Sequence, residues 1–246
     1  MAVIAAEPRA SRMRVVFLIL GAVLSAALIA LGAFMLLELA SRHSFVRAFR
    51  YPGVRSLVVR DGAGDVTLTA GSASGAVLVT AQETEALDRP TVRSRLASDG
   101  TLSLNASCPG NLQCGVHYFI SVPSDVAVEA SSGFGELSAS GLTSTSSLQL
   151  STTAGDLHAS GISAPDVRLS SGFGSLNAEL ARPAARLVAT TVAGDLNLTL
   201  PRASYAVHAS PGVGSLTERG LRIDPAAPRS VEATSSLGHI TITEAH

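Results

Sequence analysis

The stretch "SSGFGELSASG" at residues 131–141 returns in closely similar form as "SSGFGSLNAEL" at 170–180. Its central unit, "FGEL" at 134–137, has further relatives: "AGDL" at 154–157, "FGSL" at 173–176, "AGDL" at 193–196, "VGSL" at 213–216 and "LGHI" at 237–240. The glycines of these units follow one another at steps of 20, 19, 20, 20 and 24 residues. A fixed period near 20 residues is the signature of a repeat architecture.

Each unit also has an aliphatic residue nine positions before its final Leu or Ile. These residues are Val128, Leu148, Val167, Leu187, Val207 and Val231, and an upstream unit has Leu57 nine positions before Val66. Positions two residues further along both limbs are again apolar, as in strands whose alternate side chains face a core. The one exception is Glu218. Each unit is therefore predicted to be a strand, a glycine corner and a second strand.

Two short strands cannot bury their own apolar faces, so such units must stack on one another. The sequence predicts an all-β fold, a parallel β-solenoid or β-helix with coils of about 20 residues. Consecutive coils are expected to stack about 4.8 Å apart. Along Phe134, Ala154, Phe173 and Ala193 we expect large and small side chains to alternate inside the stack. An immunoglobulin-like sandwich would not repeat one nine-residue offset seven times.

Both ends of the repeat array depart from this pattern. Residues 76–123 read as successive strands separated by turns, so we expect antiparallel hairpins that cap the N-terminal end of the stack. At the other end, "ERGLRIDPAAPR" at 218–229 lengthens the last turn by four residues. We expect this loop to shield the open edge or to contact a partner.

Residues 15–37 form an apolar run without a charge, and its 23 residues would span roughly 35 Å as a helix, enough to cross a bilayer. A cleaved signal peptide is the alternative, but its apolar region is only about 7–15 residues long. We predict a cytoplasmic tail at 1–14, one transmembrane helix at 15–37, a juxtamembrane linker at 38–53 and the solenoid domain at 54–246. Aromatic and arginine residues alternate in the linker and suit a membrane interface, although a plain linker is equally compatible.

The two cysteines, Cys108 and Cys114, enclose a Pro/Gly turn in "CPGNLQC". In an exported protein this spacing favours a disulfide that closes a small loop, whereas in the cytosol the two residues would be thiols. His117 lies nearby, but the other ligands of a tetrahedral metal site are missing. Arginines flank the apolar run equally on both sides and do not set its orientation. We take the disulfide as the better interpretation, which places the solenoid domain outside the cell membrane.

The position after each corner glycine holds the best candidates for ligand binding. It reads Asp65, Glu136, Asp156, Ser175, Asp195, Ser215 and His239. Glu136, Asp156 and Asp195 are the candidate ligands, since acids one coil apart could share a proton or hold Ca²⁺. The alternative is that each side chain accepts a hydrogen bond from backbone N–H groups at its corner. No catalytic residue, cofactor or metal site is predicted, because the three histidines of the repeats fall in different columns and no GxSxG motif occurs.

The sequence resembles a known family, the bacterial adhesin-like β-solenoid domain of unknown function. This family includes Lia-type cell-envelope-stress accessory proteins. The resemblance rests on "GDV" at 64–66, "VPSDVAVEASSGFGEL" at 122–137 and the following Gly-Asp-Leu units, and it covers residues 54–243. It implies a surface-exposed, membrane-tethered and non-enzymatic domain. Ser175, Ser215 and His239 depart from the family pattern by replacing the acid after glycine.

Two classes of function remain. The first is a non-enzymatic interaction module that uses a flat strand face to bind envelope polymer or a membrane protein partner; that face would comprise Ser138, His158, Asn177, Asn197, Thr217 and Thr241. The second is a glycan-active enzyme on the same scaffold, which would need a groove with convergent carboxylates. A regulatory variant of the first class would couple the envelope to a membrane partner such as a sensor kinase. Nucleic acid is not an expected partner, because 18 basic and 19 acidic residues are present without a basic run.

Overall fold

The structure is a computed structural model that describes residues 9–40, 43–71, 75–85, 90–108 and 114–245. The chain divides into two compact units, Met1–His43 and Ser44–His246. The first unit contains one helix, α1, Arg9–Ala40. Large apolar side chains of this helix, such as Phe17 and Leu24, are exposed. Among the residues described, no helix is both long and apolar enough to cross a membrane, and the transmembrane helix predicted at 15–37 is therefore not confirmed.

The second unit is built from strands. In chain order they are β1 (His43–Pro52), β2 (Ser56–Asp61), β3 (Val66–Ala70), β4 (Ala76–Glu85), β5 (Thr91–Leu96), β6 (Thr101–Ser107), β7 (Gly115–Val122), β8 (Ala127–Phe134), β9 (Leu137–Ser140), β10 (Ser147–Ala154), β11 (Leu157–Ile162), β12 (Asp166–Phe173), β13 (Leu176–Leu180), β14 (Arg186–Ala193), β15 (Leu196–Leu200), β16 (Ser204–Val213), β17 (Leu216–Arg219), β18 (Arg222–Ile223), β19 (Ser230–Leu237) and β20 (Ile240–Glu244).

These strands form two sheets of ten strands each, and most neighbouring strands are parallel. The first sheet has the order β1-β4-β7-β3-β9-β11-β13-β15-β20-β17, and the second has the order β18-β16-β19-β14-β12-β10-β8-β2-β6-β5. A coil of the solenoid is one strand of the second sheet, a glycine corner and the next strand of the first sheet. The prediction of an all-β parallel solenoid is confirmed.

The register of the middle coils agrees with the nine-residue offset. Leu148 of β10 pairs with Val128 of β8 and with Val167 of β12. On the other sheet, Leu157 of β11 pairs with Leu137 and Leu176. All six side chains are buried between the sheets. Because a slip of one residue would turn every apolar side chain outward, the alternating pattern alone specifies this register.

The N-terminal end differs in part from the prediction of antiparallel hairpins. Strands β4 and β5 do pair in antiparallel fashion, with β7 and β6 respectively. However, β6 and β7 pair in parallel with β2 and β3, and so form a coil of their own outside coil β2/β3. The physical reason is their inward pattern: Leu102, Leu104 and Ile120 are buried and continue the aliphatic columns of the repeat, since they pair with Leu57, Val59 and Leu68.

The segment predicted as a juxtamembrane linker is also more structured than expected. Within 38–53, strand β1 is the outermost strand of its sheet and neighbours β4. Its aromatic residues Phe45 and Phe49 are exposed, and Arg47 Nε lies 3.3 Å from the carboxylate of Glu83 on β4. The first eight residues of the tail predicted at 1–14 lie outside the described part of the chain.

The C-terminal end corrects the expectation of consecutive stacking. Coil β19/β20, the last in the chain, lies between β14/β15 and β16/β17: Val231 pairs with Leu187 on one side and with Val207 on the other. The longer turn at 218–229 gives the chain the length to return. In coil β19/β20 the inward residues Ile240 and Ile242 are apolar and fully buried, whereas β16/β17 has Glu218 at the position that pairs with Ile242. The more apolar coil therefore occupies the inner place.

Candidate functional site

The corner of each coil is where candidate ligand residues, glycines and exposed apolar side chains meet. Seven corner glycines, Gly64, Gly135, Gly155, Gly174, Gly194, Gly214 and Gly238, have φ between 138° and 151°. A Cβ on Gly155 would overlap the carbonyl oxygen of Gly135 in the adjacent coil. Only glycine tolerates both this backbone conformation and this close approach.

Buried hydroxyl groups support the same corner from inside. Thr152 Oγ1 donates to the carbonyl oxygen of Gly135 at 3.4 Å, and Ser171 Oγ donates to those of Gly155 at 3.3 Å and Gly174 at 3.1 Å. Ser132, Thr191 and Ser235 likewise donate to the corner carbonyl oxygens of Gly64, Gly174 and Gly194 in the adjacent coils. These contacts satisfy buried polar groups that would otherwise destabilise a tightly packed corner.

The residues after the corner glycines form a continuous line, four of whose seven members are acids, and we call it the acidic ladder. In spatial order it comprises Asp65, Glu136, Asp156, Ser175, Asp195, His239 and Ser215. Asp156 Oδ1 accepts the N–H of Ser175 at 2.8 Å, and Asp195 Oδ1 accepts the N–H of His239 at 2.8 Å. Asp65 Oδ1 likewise accepts the N–H of Glu136 at 2.9 Å. The three aspartates thus act as caps between coils, which is the alternative to a ligand site.

The ladder places the candidate ligands Glu136 and Asp156 in adjacent coils and Asp195 two coils beyond Asp156. Among the residues described, no group of three or more His, Cys, Asp or Glu side chains is arranged to hold a metal ion. Each coil contributes one side chain to the ladder, and successive side chains are about 4.8 Å apart along it. The arrangement repeats along a line and does not converge on one point.

The order of the last two coils creates a contact that the sequence did not predict. His239 follows Asp195 in the ladder and precedes Ser215, whose Oγ lies 2.7 Å from His239 Nδ1. The N–H of Ser215 also donates to this nitrogen, at 3.2 Å. Asp195 accepts the backbone N–H of His239, and among the described residues no carboxylate is paired with the His239 imidazole as in a catalytic triad. His239 therefore takes the capping role that aspartate has elsewhere.

The strand face predicted to bind a partner is continuous, and we call it the polar ladder. In space it runs Ser138, His158, Asn177, Asn197, Thr241 and Thr217, with Thr67 before it. Asn197 Nδ2 donates to Asn177 Oδ1 at 2.9 Å, and Asn177 Nδ2 lies 3.4 Å from His158 Nδ1. Neighbouring side chains thus hold one another in a regular array along the strand face.

One prediction about the corner is wrong. Phe134 and Phe173 do not fill the interior but are 64% and 63% exposed. With Ala154, Ala193, Leu237 and Val213 they pair coil to coil along the outside of the corner, and we call this line the apolar ridge. The reason is space, because the interior at this corner is already occupied by buried Ser and Thr side chains and by backbone in close contact.

Sequence reasoning missed a buried polar group in coil β2/β3. Asp61 is 5% exposed and pairs with Ser132, so it occupies the column of buried hydroxyls. Burial raises its pKa to about 7, although the N–H of Ala63 opposes the shift. Asp61 Oδ2 and the hydroxyl of Tyr118 are buried and have no hydrogen-bond partner in the described part of the chain. The signal was available, since Asp61 lies four residues after Leu57, where five of the other units have Ser or Thr.

The cysteines lie at the corner of the outer coil, between β6 and β7. A disulfide joins Cys108 to Cys114, whose Cα atoms are 5.7 Å apart. Residues 109–113 of the enclosed loop lie outside the described part of the chain. His117 Nδ1 lies 3.2 Å from Asp65 Oδ2 in the neighbouring coil, so it pairs with the acidic ladder and not with the cysteines.

The sequence matches the family model described as Toastrack DUF4097 over residues 54–236. The chain belongs to this family. Its β-solenoid is the Toastrack domain, and the resemblance to an adhesin-like domain of unknown function is confirmed. No protein of curated function matches the chain.

Solved structures of similar fold come from several bacteria. A candidate cell adhesion protein of Clostridium sporogenes superposes with a TM-score of 0.52 at 15% identity and covers 83% of this chain and 100% of its own. A candidate adhesin of Bacteroides fragilis has a TM-score of 0.38 at 11% identity and covers 82% of this chain and 97% of its own. At these identities the first likeness shows only that the fold is shared.

Proposed function

We propose that the protein is a non-enzymatic, adhesin-like interaction module held on the outer side of the cell membrane. The observation that carries this proposal is the polar ladder, a line of Asn, Thr, Ser and His side chains presented by successive parallel strands, in which Asn177 makes hydrogen-bonding contacts with both Asn197 and His158. Such a surface is ordered before any ligand arrives, which lowers the entropic cost of binding an extended partner. Its ligand would be an envelope polymer or the extended surface of a membrane protein.

The ladders support a binding role over the alternative of a glycan-active enzyme. Glycoside cleavage requires two carboxyl groups on opposite sides of one bond. Here Asp65, Asp156 and Asp195 each use one oxygen to cap the next coil, and the acids lie in one line on an exposed corner. A depression of about 280 Å³ does exist, lined by residues that include Arg55 and Asp99, but it lies beside the β5–β6 turn, away from these acids.

The location is the second part of the proposal, and two observations support it. The uncharged run at 15–37 has the length of a membrane span, and its large apolar side chains that the structure describes, such as Phe17 and Leu24, are exposed. The disulfide between Cys108 and Cys114 suits an oxidising compartment. We propose a single-pass anchor with residues 54–246 outside the membrane.

Binding to purified peptidoglycan tests the interaction role. The full-length chain should co-sediment with peptidoglycan, and Asn177→Leu with Asn197→Leu should weaken this binding because the amide hydrogen bonds are lost. The matched control is Gln149→Leu, an exposed amide on the other sheet. Release of soluble sugar fragments by the wild type would instead establish the enzyme.

Protease treatment of whole cells tests the location. The chain should stay with the membrane fraction after a salt wash, and external protease should degrade residues 54–246. Recovery of the intact chain in the soluble fraction would overturn the anchor.

A further inference from the structure

The apolar ridge is the surface feature that the proposed function does not yet use. We propose that the ridge and the neighbouring acidic ladder together bind one face of an amphipathic α-helix that carries basic residues and belongs to a protein partner. This inference rests on the proposed function, since it assigns a partner class to the same interaction module.

The exposure of the ridge marks it as a binding surface. Phe134, Phe173, Leu237 and Val213 are 64%, 63%, 53% and 68% exposed, and they lie in one line across successive coils. Aligned apolar side chains of this size on a soluble surface are typical of protein interaction sites. The fold does not need them there, because the columns at Val128 and Leu137 supply the core.

The spacing of the ridge fits a helix. From Phe134 through Phe173 to Leu237, large side chains occur at every second coil, and Val213 follows in the end coil. Two coils rise about 9.6 Å. The small side chains of Ala154 and Ala193 leave recesses between the large ones, and these two recesses are also two coils apart. Seven residues of an α-helix rise about 10.5 Å, so apolar residues seven apart on one helix face would fit both recesses. Residues on the same face of an extended strand are about 6.8 Å apart, and this spacing does not match that of the large ridge residues.

The charge beside the ridge indicates a basic partner. Glu136, Asp156 and Asp195 each lie two residues after a ridge position and are exposed. The aspartates are held in place because one oxygen of each accepts a backbone N–H, which leaves the second oxygen for a partner. The ridge and the ladder contain no Arg and no Lys. Arginine or lysine flanking the apolar seam of the helix would therefore meet preordered carboxylates.

A designed peptide tests the proposal without knowledge of the natural partner. The probe is a fluorescently labelled helix of three heptads, with leucine at the seam and arginine beside it. Its binding to the full-length chain in a neutral detergent is measured by anisotropy, and empty micelles give the background. Phe134→Ser with Phe173→Ser should lower the affinity about tenfold or more, because aromatic anchors dominate such interfaces.

Control variants separate the ridge from other surfaces. Phe119→Ser removes an aromatic side chain of similar exposure, 49%. Phe119 pairs with Thr67 and so lies at the N-terminal end of the polar ladder, not on the ridge. This variant should leave the affinity for the peptide unchanged. Glu136→Arg should weaken binding and reduce its dependence on salt, because one attractive charge is replaced by a repulsive one. All variants should retain the wild-type unfolding midpoint, since the altered side chains are exposed.

The outcomes distinguish this inference from the proposed function. If the peptide does not bind, or binds Phe134→Ser/Phe173→Ser equally well, the helix proposal is overturned. Continued binding of peptidoglycan through the polar ladder would then show that the interaction role survives. Ridge-dependent binding of a neutral polysaccharide, or ridge-dependent self-association, in place of peptide binding would likewise reject the basic helix as the partner.

Discussion

In the middle of the solenoid, coils β8/β9 to β14/β15 stack in the order in which the chain makes them, whereas at both ends the spatial order departs from the chain order. Coil β6/β7 lies outside β2/β3, and coil β19/β20 lies inside β16/β17. The register between neighbouring coils is the same throughout, although coil β6/β7 has a longer corner that contains the disulfide loop. The difference teaches that the repeat specifies register between coils, while the apolar content of each coil decides which ones are internal.

The two ends also protect their edges by different means. At the N-terminal end, antiparallel strands β4 and β5 cover the outer coil. At the C-terminal end, Leu216 is 40% exposed although Leu137, Leu157, Leu176, Leu196 and Ile240 of its column are fully buried. Glu218 pairs with Ile242 and so occupies an inward position of the repeat, but its side chain is exposed in this outermost coil. An inward charge on an edge strand opposes pairing with another sheet, which explains the one exception in the repeat.

The largest effect is expected from Gly155→Ala in the middle of the stack. Its φ of 145° and the overlap with the Gly135 carbonyl should destabilise the domain by about 4 kcal/mol, or prevent folding. Gly161→Ala is the control, since its φ is 63° and the nearest atoms to a Cβ are 3.9 Å away. It should cost about 1 kcal/mol. Denaturant unfolding of both variants provides the comparison, and equal losses would contradict the role of the close corner contact.

The next largest effect concerns the buried column that contains both Leu157, in the middle of the stack, and Leu216, at its C-terminal end. Leu157→Ala should lower the free energy of unfolding by about 3 kcal/mol, because the side chain is fully buried and its loss creates a cavity. Leu216→Ala should cost less than about 1 kcal/mol, since no coil covers it. The same unfolding measurement applies, and a large loss at Leu216 would mean that another element covers this end.

A pH-dependent effect is expected at Asp61, near the N-terminal end. Because burial raises its folded pKa to about 7 from 3.8, the folded state retains a proton that the unfolded chain has lost between these values. Stability should therefore fall as pH rises from about 4 to about 7, and Asp61→Asn should be more stable than the wild type above pH 7, by up to about 4 kcal/mol.

Unfolding midpoints measured from pH 4 to pH 8 check this expectation. Asp99→Asn is the control, because hydrogen bonds from Thr101 lower the pKa of this exposed carboxyl. Asp99 therefore contributes stability that is lost as pH falls, whereas the effect of Asp61 is that stability is lost as pH rises. An Asp61→Asn variant with the same pH profile as the wild type would refute the role of this carboxyl.

The smallest effect on stability is expected at the C-terminal edge. Glu218→Leu should change the free energy of unfolding by less than about 0.5 kcal/mol, because Glu218 is exposed. It should nevertheless promote association through the open edge, visible as a concentration-dependent mass in sedimentation. Glu179 is also exposed but lies on an internal coil, so the Glu179→Leu variant should have the same sedimentation mass at all concentrations. Equal association of both variants would show that surface hydrophobicity alone is responsible.

How far the sequence predicts the fold is clear from particular residues. The offset between Leu148 and Leu157, repeated in every unit, predicted both strands, the corner and the register, because each depends on alternation within 20 residues of chain. The candidate ligands Glu136, Asp156 and Asp195 were correctly grouped in one ladder for the same reason. The side of the sheet taken by Phe134 was not predictable from its neighbours, because it depends on how much room the corner leaves.

The sequence by itself determined the repeat, the buried columns, the glycine corners, the acidic ladder and the polar ladder. These features follow from local periodicity and from backbone conformations that only glycine adopts. Only the tertiary structure decided the order of the coils at each end, the parallel pairing of β6 and β7, the contact between Ser215 and His239, and the outward position of the apolar ridge. Those features arise from contacts between segments far apart in the chain, where burial of the most apolar coil and the space left between adjacent backbones select among arrangements that share the same register.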